Sequence, residues 1–458
     1  MTKDAQQASD GTRRNDPGDG VAPDATYRVQ MRRVVFSSFL GSILEYYDFI
    51  LYGTLSAIVF GQIFFSNLDP VTGTIASLGT FAAGYLARPV GGLIFGHFGD
   101  RLGRKKMLFW SISLMAIASV LMGFLPTYQQ VGALAPILLI LLRVFQGIAI
   151  GGEWGASVLM SAEHATSRRG LWVAFTPAGA PGGALLSTAV VTLLSAVMTD
   201  EQFLAWGWRI AFFLSVVLFA IAIVVRLRIV ESPVFTAAVV ETGRPERVPL
   251  FSVLRTQLGR VLLGIGATAG MFAASSFITV FLVSYATGPG QLERQDVLNT
   301  LTISSAISLV TTILYGALSD RLGRRLTMIL GAVATGIVCF LVFPAVASGS
   351  VLIFGVIFII GQAFTQAAWS AATPSLLSEM FDTENRYSGA SLAFQVSSAL
   401  AGGLAPVTFA AVLQATGAPL SVAFIMAGLV VLSVVCLLVI GETSRRSLGP
   451  RANTVRDE

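Results

Sequence analysis

The chain holds almost none of the parts an enzyme or a nucleic-acid-binding protein uses. Two histidines, two cysteines and 12% charged residues are spread over 458 positions, with no G-x-x-x-x-G-K-S/T phosphate loop. A nucleophile, metal or cofactor site therefore lacks its material; the chain is not read as an enzyme, and neither a metal nor a cofactor is expected. Cys339 and Cys436 lie in separate apolar runs with no partner nearby in sequence, which excludes a disulfide framework and leaves them as packing residues. The net charge of +5 sits in short clusters between apolar segments, a pattern of bilayer orientation and not of a nucleic-acid face. Residues 1–32 show no apolar run of a secretion signal and read as a disordered tail; residues 441–458 are polar and lack the heptads of a coiled coil. A membrane receptor or sensor would be expected to add a folded soluble domain, and neither tail reads as one.

Long apolar runs are what the sequence has instead. It is 54% hydrophobic with a mean hydropathy of +0.75, the composition of a membrane protein. About 20 apolar residues cross a bilayer as a helix, and twelve such stretches fall near 33–64, 72–98, 105–125, 132–161, 169–198, 207–229, 258–285, 297–318, 325–346, 350–380, 387–414 and 419–440. Basic residues alternate across the connections: Arg101, Arg104, Lys105 and Lys106, then Arg168 and Arg169, Arg226 to Arg260, Arg321, Arg324 and Arg325, and Arg386 mark one side. Arg294, with Arg209 at a helix edge, is the exception. The positive-inside rule places both termini in the cytoplasm. The predicted fold class is an all-α membrane protein of twelve transmembrane helices. Six-helix bundles at 33–229 and 258–440 are joined by a cytoplasmic linker, 230–257, and the 46 glycines suit close helix packing.

The two bundles look like repeats. GHFGDRLGRK (96–105) recurs as GALSDRLGRR (316–325), with Asp100 and Asp320 separated by 220 residues. Glu163 before Arg169 parallels Glu379 before Arg386, and Glu231 after the sixth span parallels Glu442 after the twelfth. Parallel repeats support rocking of one half against the other around a central site. The G-x-x-x-D-R-x-G-R-K loop resembles the signature of the major facilitator superfamily, over about residues 33–442. GSILEYYDFILYG (41–53), ARPVGGLIFGHFGD (87–100) and RVFQGIAIGGEWG (143–155) resemble the metabolite:proton symporters, a family that includes shikimate, α-ketoglutarate, citrate and proline/betaine permeases. The resemblance implies the major facilitator fold, a multi-pass cell-membrane location and a small-molecule substrate. It implies a proton as coupling ion, the lipid bilayer as surroundings and a monomeric state.

For the repeated loops two readings are open: orientation alone, or a conformational latch. The repeated Asp and the glycines Gly96, Gly103 and Gly323 call for a specific turn, which orientation does not. In the latch, which the resemblance supports, Asp100, Arg101, Arg104 and Arg169 with Asp320, Arg321, Arg324 and Arg386 pair with Glu163, Glu231, Glu379 and Glu442 when the cytoplasmic side is shut.

Ionisable groups inside spans are functional candidates by default. Glu45 and Asp48 lie in the first span, Arg88 in the second, Arg143 and Glu153 in the fourth, and none in the C-terminal half. From the helix rise, Glu45, Asp48, Arg88 and Glu153 lie roughly 15–22 Å above the cytoplasmic helix ends, so they can meet. Glu45, Asp48 and Tyr52 share one helix face; Arg143, Gln146 and Glu153 cluster within about 80° on another. Three carboxylates against two guanidiniums leave one uncompensated negative charge, which one proton neutralises. Asp48 or Glu45 is therefore the expected proton carrier and Arg143 its partner, the alternative being a static ion network. An Asp in the first helix facing an Arg in the fourth is similar to the arrangement in proton-coupled sugar carriers. Arg88 and Arg143 suit a carboxylate unless Glu45 and Glu153 occupy them. Gln362, Gln366 and Trp369, at i, i+4 and i+7, and Gln395 with Ser391 and Ser398, offer uncharged hydrogen-bonding faces; Ser275 and Thr279 do the same, although small polar residues also serve as packing glue. The stretch 125–165 looks most like the shikimate-type branch, so a hydroxylated or aromatic carboxylate is the first expected substrate. A zwitterionic osmolyte comes second, with Tyr46, Tyr47, Trp154 and Trp369 available for an aromatic cage.

Overall fold

A computed structural model of the chain describes residues 25–102, 104–151, 158, 168–227, 250–382 and 386–444. Among the described residues twelve long helices follow one another: α1 (Ala25–Ile58), α2 (Pro70–Leu102), α3 (Arg104–Gly123), α4 (Leu134–Gly151), α5 (Arg169–Val197) and α6 (Trp208–Leu227) in the first half. The second half holds α7 (Leu258–Thr287), α8 (Arg294–Leu322), α9 (Arg324–Ala347), α10 (Val351–Met380), α11 (Ser388–Thr416) and α12 (Pro419–Ile440). Among the described residues there is no strand, and nine helices, the fourth to the twelfth of the expected spans, are long and apolar enough to cross a membrane. Helices suit such surroundings because each satisfies its backbone donors and acceptors within itself. Large apolar side chains such as Leu193, Leu352 and Phe424 face outward, as a lipid-facing surface requires.

Three boundaries differ from those the apolar runs predict. Helix α1 begins at Ala25, inside the expected tail, because a helix continues past the apolar boundary wherever the next residues tolerate helical geometry. It also ends at Ile58, and the break at Val59 starts a separate short helix, Phe60–Phe64. The last part of the expected linker is helical over Leu250–Thr256.

Within the first half α1 packs on α5 and α2 on α4; within the second α7 and α9 pack on α12. The halves meet along α5–α8 and α2–α11. The α2–α4 seam is made by glycines. A Cβ at Gly147 would collide with the Gly84 carbonyl, and one at Gly151 with that of Arg88, so α4 lies against the α2 backbone and carries Arg143 and Gln146 inward. Wide π-helical turns interrupt α7 at Phe277–Phe281, α10 at Ile360–Gln366 and α11 at Ser398–Gly403. Such turns gather at functional sites.

Candidate transport site

Asp48 is fully buried between α1, α3 and α4. Its Oδ2 accepts from Ser119 Oγ at 2.6 Å and from Gln146 Nε2, whose other contact is Ser119 Oγ at 2.8 Å. Gln146 Oε1 accepts from Arg143 Nη1 at 3.0 Å. The amide is thereby fixed, with its NH2 to the carboxylate and its oxygen to the guanidinium. Arg143 meets Asp48 through Gln146, and its charge lies over ring faces: Phe49 at 4.1 Å and Tyr52 at 4.2 Å. Asp48 Oδ1 and Arg143 Nε and Nη2 are buried without a hydrogen-bond partner. A carboxylate with one oxygen bonded twice and the other bare is an uneven environment for a buried polar group.

Arg88, 2% exposed, lies over Phe49 at 4.1 Å and over Tyr85 at 4.3 Å. Tyr46 and Tyr85 line a cavity of about 90 Å³ between the halves, whose far wall carries Gln362, Gln366, Thr279 and Phe394. Among the described residues the lining contains no charged side chain. Arg88 stands one layer behind it, over Tyr85.

At the basic face the halves are bonded. Asp320 at the end of α8 accepts from the Gly170 and Leu171 amides at 2.8 and 3.0 Å, capping the positive N-terminus of α5. Arg169 Nη1 lies 3.3 Å from Glu379, which also receives Thr443 Oγ1 at 2.7 Å and lies 3.6 Å from Arg324 Nε. Arg324 closes the group on Asp320 at 2.8 Å. At the opposite face Arg294 reaches Asp200 at 2.7 Å, so the basic residue that breaks the charge bias also joins the halves.

Glu442 accepts from the Arg324 and Arg325 amides at 2.9 and 3.2 Å, capping α9 where Gly323 takes φ +93°. Burial pushes its carboxyl up, but the amides of Ser444, Arg324 and Arg325 outweigh this and hold it below the usual range. A depressed pKa contributes stability above the unfolded value, about 4.3, and loses it as pH falls through the folded one. Glu442→Gln should therefore melt below the wild type at pH 7, and the difference should close as pH falls below about 4; a difference independent of pH would contradict the assignment.

The "Sugar (and other) transporter" family matches residues 34–248 and "Major Facilitator Superfamily" matches 295–455. The shikimate transporter of Escherichia coli K12 is 38% identical over 386 residues, covering 83% of this chain and 88% of that one. The chain belongs to the major facilitator superfamily. An inner membrane metabolite transport protein of the same organism is 36% identical, covering 91% and 95%. The proline/betaine transporter of Salmonella typhimurium LT2 is 32% identical, covering 92% and 85%. In fold, this facilitator is similar to the proton:xylose symporter bound to 6-bromo-6-deoxy-D-glucose: TM-score 0.71, 20% identity, covering 92% of this chain and 98% of that one. It is a multi-pass transporter of the cell membrane, not an enzyme.

Several predicted site residues of the facilitator come together and others do not. Asp48, Arg143, Gln146 and Tyr52 form one cluster, with Tyr52 Oη 2.5 Å from Thr80 Oγ1. Glu45 is buried one turn before Asp48 and is itself partnered. Gln362 and Gln366 line the cavity, but Trp369 does not: the π turn Ile360–Gln366 adds residues to the turn and rotates it into the second-half core, against Gly270 and Gly331. Gln395 is away from the cavity as well, donating to the Gly151 carbonyl at 2.8 Å across the halves. Of the cage candidates Tyr46 lines the cavity, while Tyr47 donates to the Ala211 carbonyl at 3.0 Å. In the latch Asp320, Arg324, Glu379, Arg169 and Glu442 are joined as described, Arg386 is buried and partnered, and Arg321 is exposed. Gly103, Glu153, Trp154, Glu163 and Glu231 lie outside the described residues, as do the side chains of Asp100, Arg101 and Arg104 and the surroundings of Gly96. Sequence reasoning missed Ser119, Phe49 and Tyr85. An isolated serine or aromatic in an apolar helix looks like packing, and only the fold shows what it faces.

Proposed function

We propose that this facilitator is a proton-coupled symporter importing a small organic acid by alternating access, with a shikimate-like hydroxylated or aromatic carboxylate favoured. The proton is its coupling ion and the monomer its working unit. The reading rests above all on the buried Asp48 with its bare Oδ1, tied through Gln146 to Arg143. Asp48 carries the proton in this scheme, with Glu45 and Glu153 as the other carboxylates inside the first-half spans. Arg88, behind Tyr85, draws the substrate carboxylate to the first-half wall. The bonded basic face, with the Asp100 loop as its repeat, is the latch that opens to the cytoplasm once both proton and substrate are bound. The similarity to a shikimate transporter supports the choice of acid.

A zwitterionic osmolyte such as proline or a betaine is the second reading. It is favoured by the aromatic residues Tyr46, Tyr85, Phe272 and Phe394 around the cavity and by the proline/betaine relatives.

Purified protein in liposomes, given an inwardly directed proton gradient and labelled shikimate, is expected to accumulate label above the outside concentration and to lose it on adding a protonophore. Uptake that ignores the gradient would refute proton coupling; accumulation of proline but not of shikimate would replace the acid by the osmolyte.

A further inference from the structure

The geometry points to a cavity polarised across its width, which makes Gln362 a specificity-determining acceptor for a hydroxyl or ammonium N–H on the substrate. Gln362 is 5% exposed and lines the cavity. Its Nε2 donates to Ser305 Oγ at 3.3 Å, and Ser305 has spent its own hydroxyl proton on the Leu301 carbonyl at 2.8 Å. Ser305 can then only accept, so Gln362 must turn its NH2 to it and leave Oε1, buried and without a partner, as the free acceptor of this cavity-lining residue. The neighbouring hydroxyls are used the same way: Thr279 donates to the Ser275 carbonyl at 2.8 Å and Ser370 to that of Ala367 at 3.2 Å. Their oxygens remain to accept.

The opposite wall has the reverse polarity. Arg88, a cation that only donates, lies over Tyr85 behind that wall, so an acceptor is favoured there, and the Tyr46 hydroxyl at the cavity can turn its proton to one. A ligand is held best with an acceptor such as a carboxylate toward Tyr46 and a donor toward Gln362. This rests on the proposed anion at the first-half wall but adds what the second half selects. A buried acceptor left unpaired by the wrong ligand is penalised, so donor-free analogues should be rejected about ten- to a hundredfold.

The test is competition in proteoliposome exchange with two pairs that differ in donors: shikimate against cyclohex-1-ene-1-carboxylate, and L-proline against N,N-dimethylproline. The wild type should favour the donor-bearing member of at least one pair by tenfold or more. Gln362→Met should abolish that preference. Ser305→Ala, which frees the amide to turn over, should shrink it while the protein still folds and exchanges. Preference in the proline pair alone would sink the organic-acid reading and leave the polarised cavity standing. No preference in either pair, or a preference that survives both substitutions, overturns the inference.

Discussion

Asp48→Asn is expected to leave exchange of labelled for unlabelled substrate intact while abolishing accumulation against a gradient. Asn has the size and shape of Asp, and its oxygen can still accept from Ser119 Oγ and Gln146 Nε2, so the contacts that join α1, α3 and α4 persist. What it loses is the ability to exist with and without a charge. In the protein Arg143 faces the carboxylate across Gln146, so adding a proton at Oδ1 removes the negative end of that relay and changes how α4 is held against α1. In the variant the relay is permanently neutral, the halves rock whether or not a proton is bound, and substrate equilibrates. For one proton per cycle the wild type should concentrate substrate about tenfold per pH unit of gradient; the variant should reach a ratio of one. Counterflow and gradient-driven uptake measured on the same liposome preparation separate the two. A variant that still concentrates substrate would move the proton to another group, with Glu45 first.

Gly147→Val should be the most damaging single change on the α2–α4 seam. The added Cβ would overlap the Gly84 carbonyl and come within 2.9 Å of the Ala87 Cβ. Overpacking into side chains costs about 1–3 kcal/mol, and backbone atoms yield less than side chains do. Helix α4 must then lift from α2, and Arg143, one turn earlier, loses its place over Phe49 and Tyr52. The expected outcome is a melting temperature in detergent several degrees below the wild type with no uptake. Gly428→Val, where a Cβ meets nothing within 4 Å, should melt and transport normally. Equal behaviour of the two variants would show that the close approach is dispensable.

The helices and their order were legible because hydropathy, charge bias and the repeated GxxxDRxGR loop act over whole segments. The charged cluster was legible too, since ionisable residues in apolar runs are too costly to be incidental. The relay was not. A sequence shows that Asp48, Gln146 and Arg143 are available, but whether the amide stands between the two charges depends on helix rotation and separation. Trp369 and Gln395 make the same point: a face drawn at 3.6 residues per turn assigned Trp369 to the cavity, and a π turn in α10 moved it away.

Composition, charge alternation and the duplicated motif by themselves determined that this protein is a membrane transporter in two halves, and which few residues are ionisable within apolar runs, because these follow from transfer free energies that each residue carries with it. The tertiary structure alone decided that Arg143 reaches Asp48 through Gln146, that Arg88 stands behind Tyr85, and that Asp320 caps α5 across the halves. Hydrogen bonds and ring contacts form over a few ångströms, and residues far apart in the chain come within that range only after packing has fixed the height and rotation of every helix.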